Sequence, residues 1–207
     1  SHNFAISGAG EPGSVIKAAS MIALLEDGMV RPHDTIDLGT SGVYKFYDKE
    51  MSESHGGLGK ITVAQMIEKS ANGISKLVFD KYKDCPEKFV NRWYAMEKKK
   101  KVGITLPGEI APFIKHPSNK SKQPLNKSEK WTGITLPWMS VGYELKITPL
   151  QLLAFYNAIA NDGQRMRPRL VKEIMNRGEV IESYEPEEVG GRICSSRTLK
   201  EIKEMLK

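Results

Sequence analysis

Hydrophobic positions three and four apart recur in six stretches of this chain, most of them bounded by helix-ending residues. Ile16, Ala19, Ser20, Ala23 and Leu24 share a face of a helix predicted over residues 14–27, closed by Gly28. A second helix starts at Thr62, where Gln65 completes the capping-box spacing, and runs to about Ser70. The string "SANG" interrupts it, and a third helix follows through Lys83. Pro86 suits the first turn of a fourth helix, "PEKFVNRWYAMEKKKK", ended by Gly103. "ITPLQLLAFYNAIANDG" repeats the capping box at Thr148 and Gln151, with Pro149 at the first helical position and Gly163 past the end. Its Leu152, Leu153, Phe155, Tyr156 and Ile159 fall on more than one face, which predicts a central, buried helix. The amphipathic "SRTLKEIKEMLK" is the last.

The intervening segments carry little period. Residues 29–60 read as loop, broken by "RPHD", "GTSG" and "HGGLGK", with one short strand in "GVYKFYD". Residues 104–138, rich in Pro, Lys, Ser and Asn, read as a long loop. "RLVKEIMNRGEVIESY" reads as a β-hairpin. The pattern predicts an α+β chain that is predominantly helical.

Composition narrows the function classes. With 207 residues, 40% of them hydrophobic, the chain can build one good core, and no apolar run approaches the roughly 20 residues that cross a bilayer. The net charge of +6 is concentrated in Lys98 to Lys101 and in Lys115, Lys120, Lys122, Lys127 and Lys130. No aromatics are interleaved with these lysines, so they read as a solvated helix end and loop, and no nucleic-acid partner is expected. Cys85 and Cys194 form no metal-spaced cluster, so no metal site or cofactor is expected, and both read as inert buried thiols. His33 and His55 sit among loop breakers and read as surface residues; Trp131, Trp138 and Tyr143 read as packing around the Thr148 helix.

Candidate chemistry centres on "EPGSVIK". Residues i and i+3 on a helix share a face, so Ser14 can lie beside Lys17, and a lysine whose pKa is lowered by burial can serve as its base. The spacing alone proves nothing: 16 serines and 23 lysines in 207 residues give about 1.8 such matches by chance (16 × 23/207), against the one present. Ser70-Ala71-Asn72 is equally mute by itself.

The order of three segments is more informative. "EPGSVIK", "EKSANGISKL" and "WMSVGYELKITPLQLLAFYNAIANDG" together resemble the transpeptidase domain of class B penicillin-binding proteins, and "LPGE" at residues 106–109 fits the same family. The resemblance spans nearly the whole chain, and "MSVGYEL" is closer to the septal, cell-division members. It implies a partial β-lactamase-like transpeptidase domain over residues 1–207. It further implies that Ser14 is the acylated nucleophile, Lys17 its base, Ser70 a proton shuttle and Asn72 the holder of the substrate amide. Peptidoglycan stem peptides and β-lactams would be the ligands. Division-machinery membrane proteins would be partners through regions outside this chain. The location would be extracytoplasmic, with the parent anchored by an N-terminal helix outside this chain.

One family element is missing from the sequence. The Lys-Thr/Ser-Gly string does not occur; Lys120-Ser121 and Lys127-Ser128 are followed by Lys122 and Glu129, and lie before the Thr148 helix rather than after it. That strand would supply a substrate-carboxylate contact and an oxyanion donor, a loss of about 10² to 10³ in rate. The chain alone is therefore expected to be inactive, to lack most of the central antiparallel sheet, and to leave apolar surface open near residues 15–25. A scaffold that keeps the fold for peptidoglycan binding is the alternative. No water-activating glutamate is assigned; Glu68 and Glu109 qualify only by being acidic.

Overall fold

The computed structural model describes residues 3–97, 101–118 and 129–207. Lys98 to Lys100, Lys120, Lys122 and Lys127, together with both Lys-Ser strings, lie outside them. Eight helices are described: α1 (Phe4–Ser7), α2 (Lys17–Glu26), α3 (Val63–Glu68), α4 (Ile74–Tyr82), α5 (Pro86–Glu97), α6 (Thr135–Ser140), α7 (Pro149–Ala160) and α8 (Ser196–Met205). The strands are β1 (Thr35–Asp37), β2 (Val43–Phe46), β3 (Lys49–Ser52), β4 (Lys60–Thr62), β5 (Phe113–Ile114), β6 (Leu145–Lys146), β7 (Glu173–Asn176) and β8 (Glu179–Ser183).

Helix α2 is the axis of the core. Every residue from Lys17 to Leu25 is buried, and α3, α4, α5 and α8 all pack on it. Its "KAASMIALLE" has no polar face, and Ala18, Ala19 and Ala23 are small enough for neighbours to close in from all sides. Just beyond it Asp27, its carboxylate almost fully buried, binds the Arg92 guanidinium of α5 and accepts the Tyr82 hydroxyl of α4 at 2.8 Å. The helix ends on Gly28 at φ +66°: the Met29 amide bonds Leu24 O (2.9 Å) and the Gly28 amide bonds Leu25 O (3.0 Å), which satisfies two of the last carbonyls. An uncovered apolar face along residues 15–25 is thus not what the structure shows. In that stretch only Val15, ahead of the helix, is an exposed large hydrophobic side chain.

The chain is mixed α+β rather than predominantly helical, with 38% helix and 16% strand among the described residues. The difference lies largely in residues 29–62, read as loop with one short strand in "GVYKFYD": that strand forms as β2, but β1, β3 and β4 form as well. β2 and β3 form a hairpin, whereas β1 pairs with β4 through Thr35↔Thr62, a register between distant residues that local periodicity cannot reveal. Among the described residues every sheet is an antiparallel pair of strands. Both capping boxes form, at Thr62 with Gln65 and at Thr148 with Gln151. Helix α7 is buried on one side only: Phe155 and Ile159 face the core while Leu153 is 64% exposed. The β7–β8 hairpin stands out from the body, with Ile174, Met175, Val180 and Ile181 all exposed.

Candidate active site

Ser14 precedes α2 rather than opening it. It lies in a 3-10 turn, Gly13–Ile16, whose Ser14 carbonyl accepts the Lys17 amide. In that tighter helix residues i and i+3 eclipse, so Ser14 and Lys17 remain on one side. Ser14 is exposed, and among the described residues its hydroxyl makes no hydrogen bond.

The turn is braced by the segment after α6. The Gly13 amide bonds Gly142 O at 3.1 Å, the Glu144 amide bonds Glu11 Oε1 at 2.8 Å, and Ser20 Oγ donates to Ser140 O at 2.8 Å. The two backbones nearly touch: a Cβ on Gly142 would sit 2.1 Å from Gly13 O, so this position admits only glycine. "EPGS" and "SVGYE" therefore belong together physically. From the other side Tyr156 of α7 donates to Val15 O at 2.6 Å.

Lys17 is 3% exposed. Its Nζ donates to Ser70 O at 2.5 Å, to Asn72 Oδ1 at 2.8 Å and, at the long end, to Ser70 Oγ at 3.4 Å. Burial pulls its pKa from 10.5 down to about 8, with the Glu53 carboxylate pulling the other way. A neutral amine keeps two N–H groups and one lone pair. The Ser70 carbonyl and Asn72 Oδ1 can only accept, so they take the two N–H groups. The lone pair then faces the remaining neighbours, among them Ser70 Oγ, which can also donate.

Ser70 ends α3 with positive φ, +49°. Its amide bonds Ile67 O (2.9 Å) and the next amide, of Ala71, bonds Met66 O (2.8 Å). The reversal turns the Ser70 carbonyl and hydroxyl toward Lys17. Asn72 is held twice: its Nδ2 donates to Ser52 O (2.8 Å), which fixes the amide so that Oδ1 faces Lys17, and its backbone N–H donates to Glu53 Oε2 (2.8 Å). Ser14 and Ser70 line one cleft of about 410 Å³, with Glu53, His55, Leu58 and Lys69 on its walls. Lys17, Ser70 and Asn72 are thus joined by side-chain hydrogen bonds, and Ser14 shares the cleft with Ser70 while its hydroxyl bonds none of the three.

Some residues stand where the sequence suggested and others do not. His55 is an exposed turn residue, as expected, and also borders the cleft. Glu53, which no motif marked, lies under the Ser70–Gly73 turn, and no local signal pointed to it. Lys115, grouped with the solvated lysines, is buried and paired with Glu144 at 2.9 Å. Cys85 is exposed, beside a separate open depression of about 770 Å³ at the start of α5 that contains none of the candidate residues; Cys194 is buried. Glu109 is buried away from the cleft, spent on the Val102 and Gly103 amides. Trp131 and Trp138 pack on the core, while Tyr143 is exposed. Among the described residues no cluster of three His, Cys, Asp or Glu could hold a metal.

Comparison with known proteins gives these residues a family setting. The family model described as the penicillin binding protein transpeptidase domain matches residues 1–207. Penicillin-binding protein PbpB of Mycobacterium tuberculosis is 28% identical over 99% of this chain and 28% of its own length. Peptidoglycan D,D-transpeptidase FtsI of Escherichia coli is 25% identical over 74% of this chain and 23% of its own. The transpeptidase domain of Burkholderia pseudomallei penicillin-binding protein 3 superposes with a TM-score of 0.75 at 26% identity, over 99% of this chain and 55% of that one. The chain spans less than a third of these curated relatives' length.

Proposed function

Because the chain belongs to the penicillin-binding protein transpeptidase family and is related to its septal members, we propose that it is the serine-bearing part of a peptidoglycan D,D-transpeptidase. The observation that carries this reading is the buried Lys17 amine, bonded to both Ser70 and Asn72 at the edge of the cleft onto which Ser14 opens.

In the proposed reaction Ser14 Oγ attacks the penultimate D-Ala carbonyl of a stem peptide and gives its proton to Lys17. The Ser14 N–H is one oxyanion donor. Ser70 passes the proton to the departing D-Ala amine as the C–N bond breaks, and Asn72 holds the peptide amide. An amine of a neighbouring stem then displaces Ser14 and closes the cross-link. A β-lactam acylates the same serine and stays, because its acyl-enzyme resolves slowly. These substrates place the parent outside the cytoplasmic membrane, anchored there, with division-machinery membrane proteins as partners through other regions. Among the described residues no helix is long and apolar enough to cross a membrane.

The charge state of Lys17 sets a pH dependence. Below about 8 the amine is protonated and cannot accept the Ser14 proton; above it the base is free. Acylation should rise with pH through that value, by roughly tenfold per unit on the acid side. The test is intact mass after incubation with a β-lactam, on this chain and on a longer form carrying a Lys-Thr/Ser-Gly strand. An adduct on the longer form that disappears in Ser14→Ala is expected, with the shorter chain slow or silent. No adduct on a folded longer form overturns the reading and favours a peptidoglycan-binding scaffold.

A further inference from the structure

The β2–β3 hairpin reaches the cleft with one side chain that the proposed reaction does not use. Glu53, the first residue after β3, spreads one carboxylate over three donors. Oε2 accepts the Asn72 amide (2.8 Å), while Oε1 accepts the Gly73 amide (2.7 Å) and the Tyr44 hydroxyl (2.8 Å). Tyr44 is 4% exposed and comes from β2, so both arms of the hairpin contribute. Gly73 is the N-cap of the nine-residue α4 and makes no side-chain cap of its own, so Glu53 caps that helix from a distant part of the chain. The neighbouring Ser52 carbonyl fixes the Asn72 side-chain amide at 2.8 Å. Both oxygens that hold the Lys17 amine most closely, Ser70 O and Asn72 Oδ1, thus belong to a loop pinned from below by residues 52 and 53.

We propose that Glu53 is a positioning residue for the Lys17 base: its carboxylate locks the Ser-x-Asn loop in place and supplies the counter-charge to the buried amine. This deepens the acylation reading and rests on it only for the consequence to rate. The charged or titratable groups bordering the cleft are Glu53, His55 and Lys69; Glu53 alone of them is negative. Glutamine in its place is nearly isosteric but removes the charge, and its NH₂ meets an amide N–H donor instead of accepting from it. The electrostatic pull of Glu53 on Lys17 already acts to raise the affinity of the amine for its proton.

The experiment is a pH titration of the Lys17 side chain by NMR in this chain labelled with ¹³C-lysine, the resonance being identified by its absence in Lys17→Met. In Glu53→Gln the midpoint should fall by roughly one unit, and amide exchange at Asn72 and Gly73 should quicken by about tenfold. Glu53→Asp, one methylene shorter but still charged, should quicken exchange while holding the midpoint near that of the parent. Equal midpoints in all three forms, or a rise in Glu53→Gln, overturn the proposal. Should Glu53→Gln fail to fold, Tyr44→Phe leaves the carboxylate charged with one donor fewer and should raise the Lys17 midpoint; a fall there overturns it too. The titration needs no substrate. A chain that takes no β-lactam leaves the Glu53 result standing, and an unmoved midpoint leaves Ser14 acylation standing.

Discussion

Two helix ends in this protein close in the same way with different residues. At the end of α2 the reversing position is Gly28, φ +66°; at the end of α3 it is Ser70, φ +49°. In both, the reversing amide bonds the carbonyl three residues back and the following amide bonds the one five back. Glycine takes this conformation freely, whereas any other residue brings its Cβ against the carbonyl and loses about 1 kcal/mol or more. The α2 end is therefore relaxed and the α3 end strained. Ser70 stays there because its surroundings leave no alternative: Lys17 holds its carbonyl, and Glu53 holds the two amides of Asn72 and Gly73 just beyond. The difference teaches that a residue with a Cβ is kept at this corner at the expense of stability, a cost that the proposed role of its hydroxyl would account for.

The largest effect should come from breaking the relaxed end. No atom lies within 4 Å of the Cβ position on Gly28, so a substitution there tests backbone strain with little confusion from packing. Gly28→Val, β-branched at positive φ, should lose about 2 kcal/mol; Gly28→Ala should lose about half that. Urea unfolding reads both as a lower midpoint at unchanged slope. If Gly28→Ala is neutral, the helix ends are not limited by φ and the comparison fails.

Ser70→Gly should act in the opposite direction. It relieves the strain and sacrifices only the 3.4 Å contact of the hydroxyl with Lys17, so stability should rise by about 1 kcal/mol. In a longer form that takes β-lactam, the same change should slow acylation by about a hundredfold or more if Ser70 relays the proton as proposed. A Ser70→Gly protein both less stable and equally reactive would remove serine from the mechanism and strain from the corner.

These two ends also mark how far the sequence could be read. Gly28 announced itself, as did the capping boxes at Thr62 and Thr148, because each is a local signal within four residues. The end of α3 near Ser70 was legible too, from the interrupting "SANG", but its reversed backbone was not: serine carries no signature of positive φ, and only the resemblance singled the residue out, for its hydroxyl. Of the strands in residues 29–62, β2 was legible in "GVYKFYD", whereas β1 and β4 were hidden because β1 finds its partner 27 positions away, at Thr62. Glu53 was illegible for a related reason. Its three donors come from Tyr44, Asn72 and Gly73, and no motif spans them. Lys115 looked solvated by the company it keeps in sequence, whereas its partner Glu144 is 29 residues on. What stayed unread at the site was long-range pairing of polar groups, which hydrophobic periodicity does not encode.

The smallest effect sharpens the comparison most. Ser70→Asn removes the hydroxyl yet keeps a polar side chain, and asparagine tolerates positive φ better than other residues with a Cβ. If strain is what distinguishes the two ends, Ser70→Asn should gain only a few tenths of a kcal/mol, well below Ser70→Gly. Should Asn match Gly, the gain would owe nothing to the difference in φ tolerance, and the φ of Ser70 would be incidental. The Lys17 titration reads the hydroxyl apart from the strain: loss of that acceptor removes support from the charged amine and should move the midpoint down in both variants, whatever their stabilities.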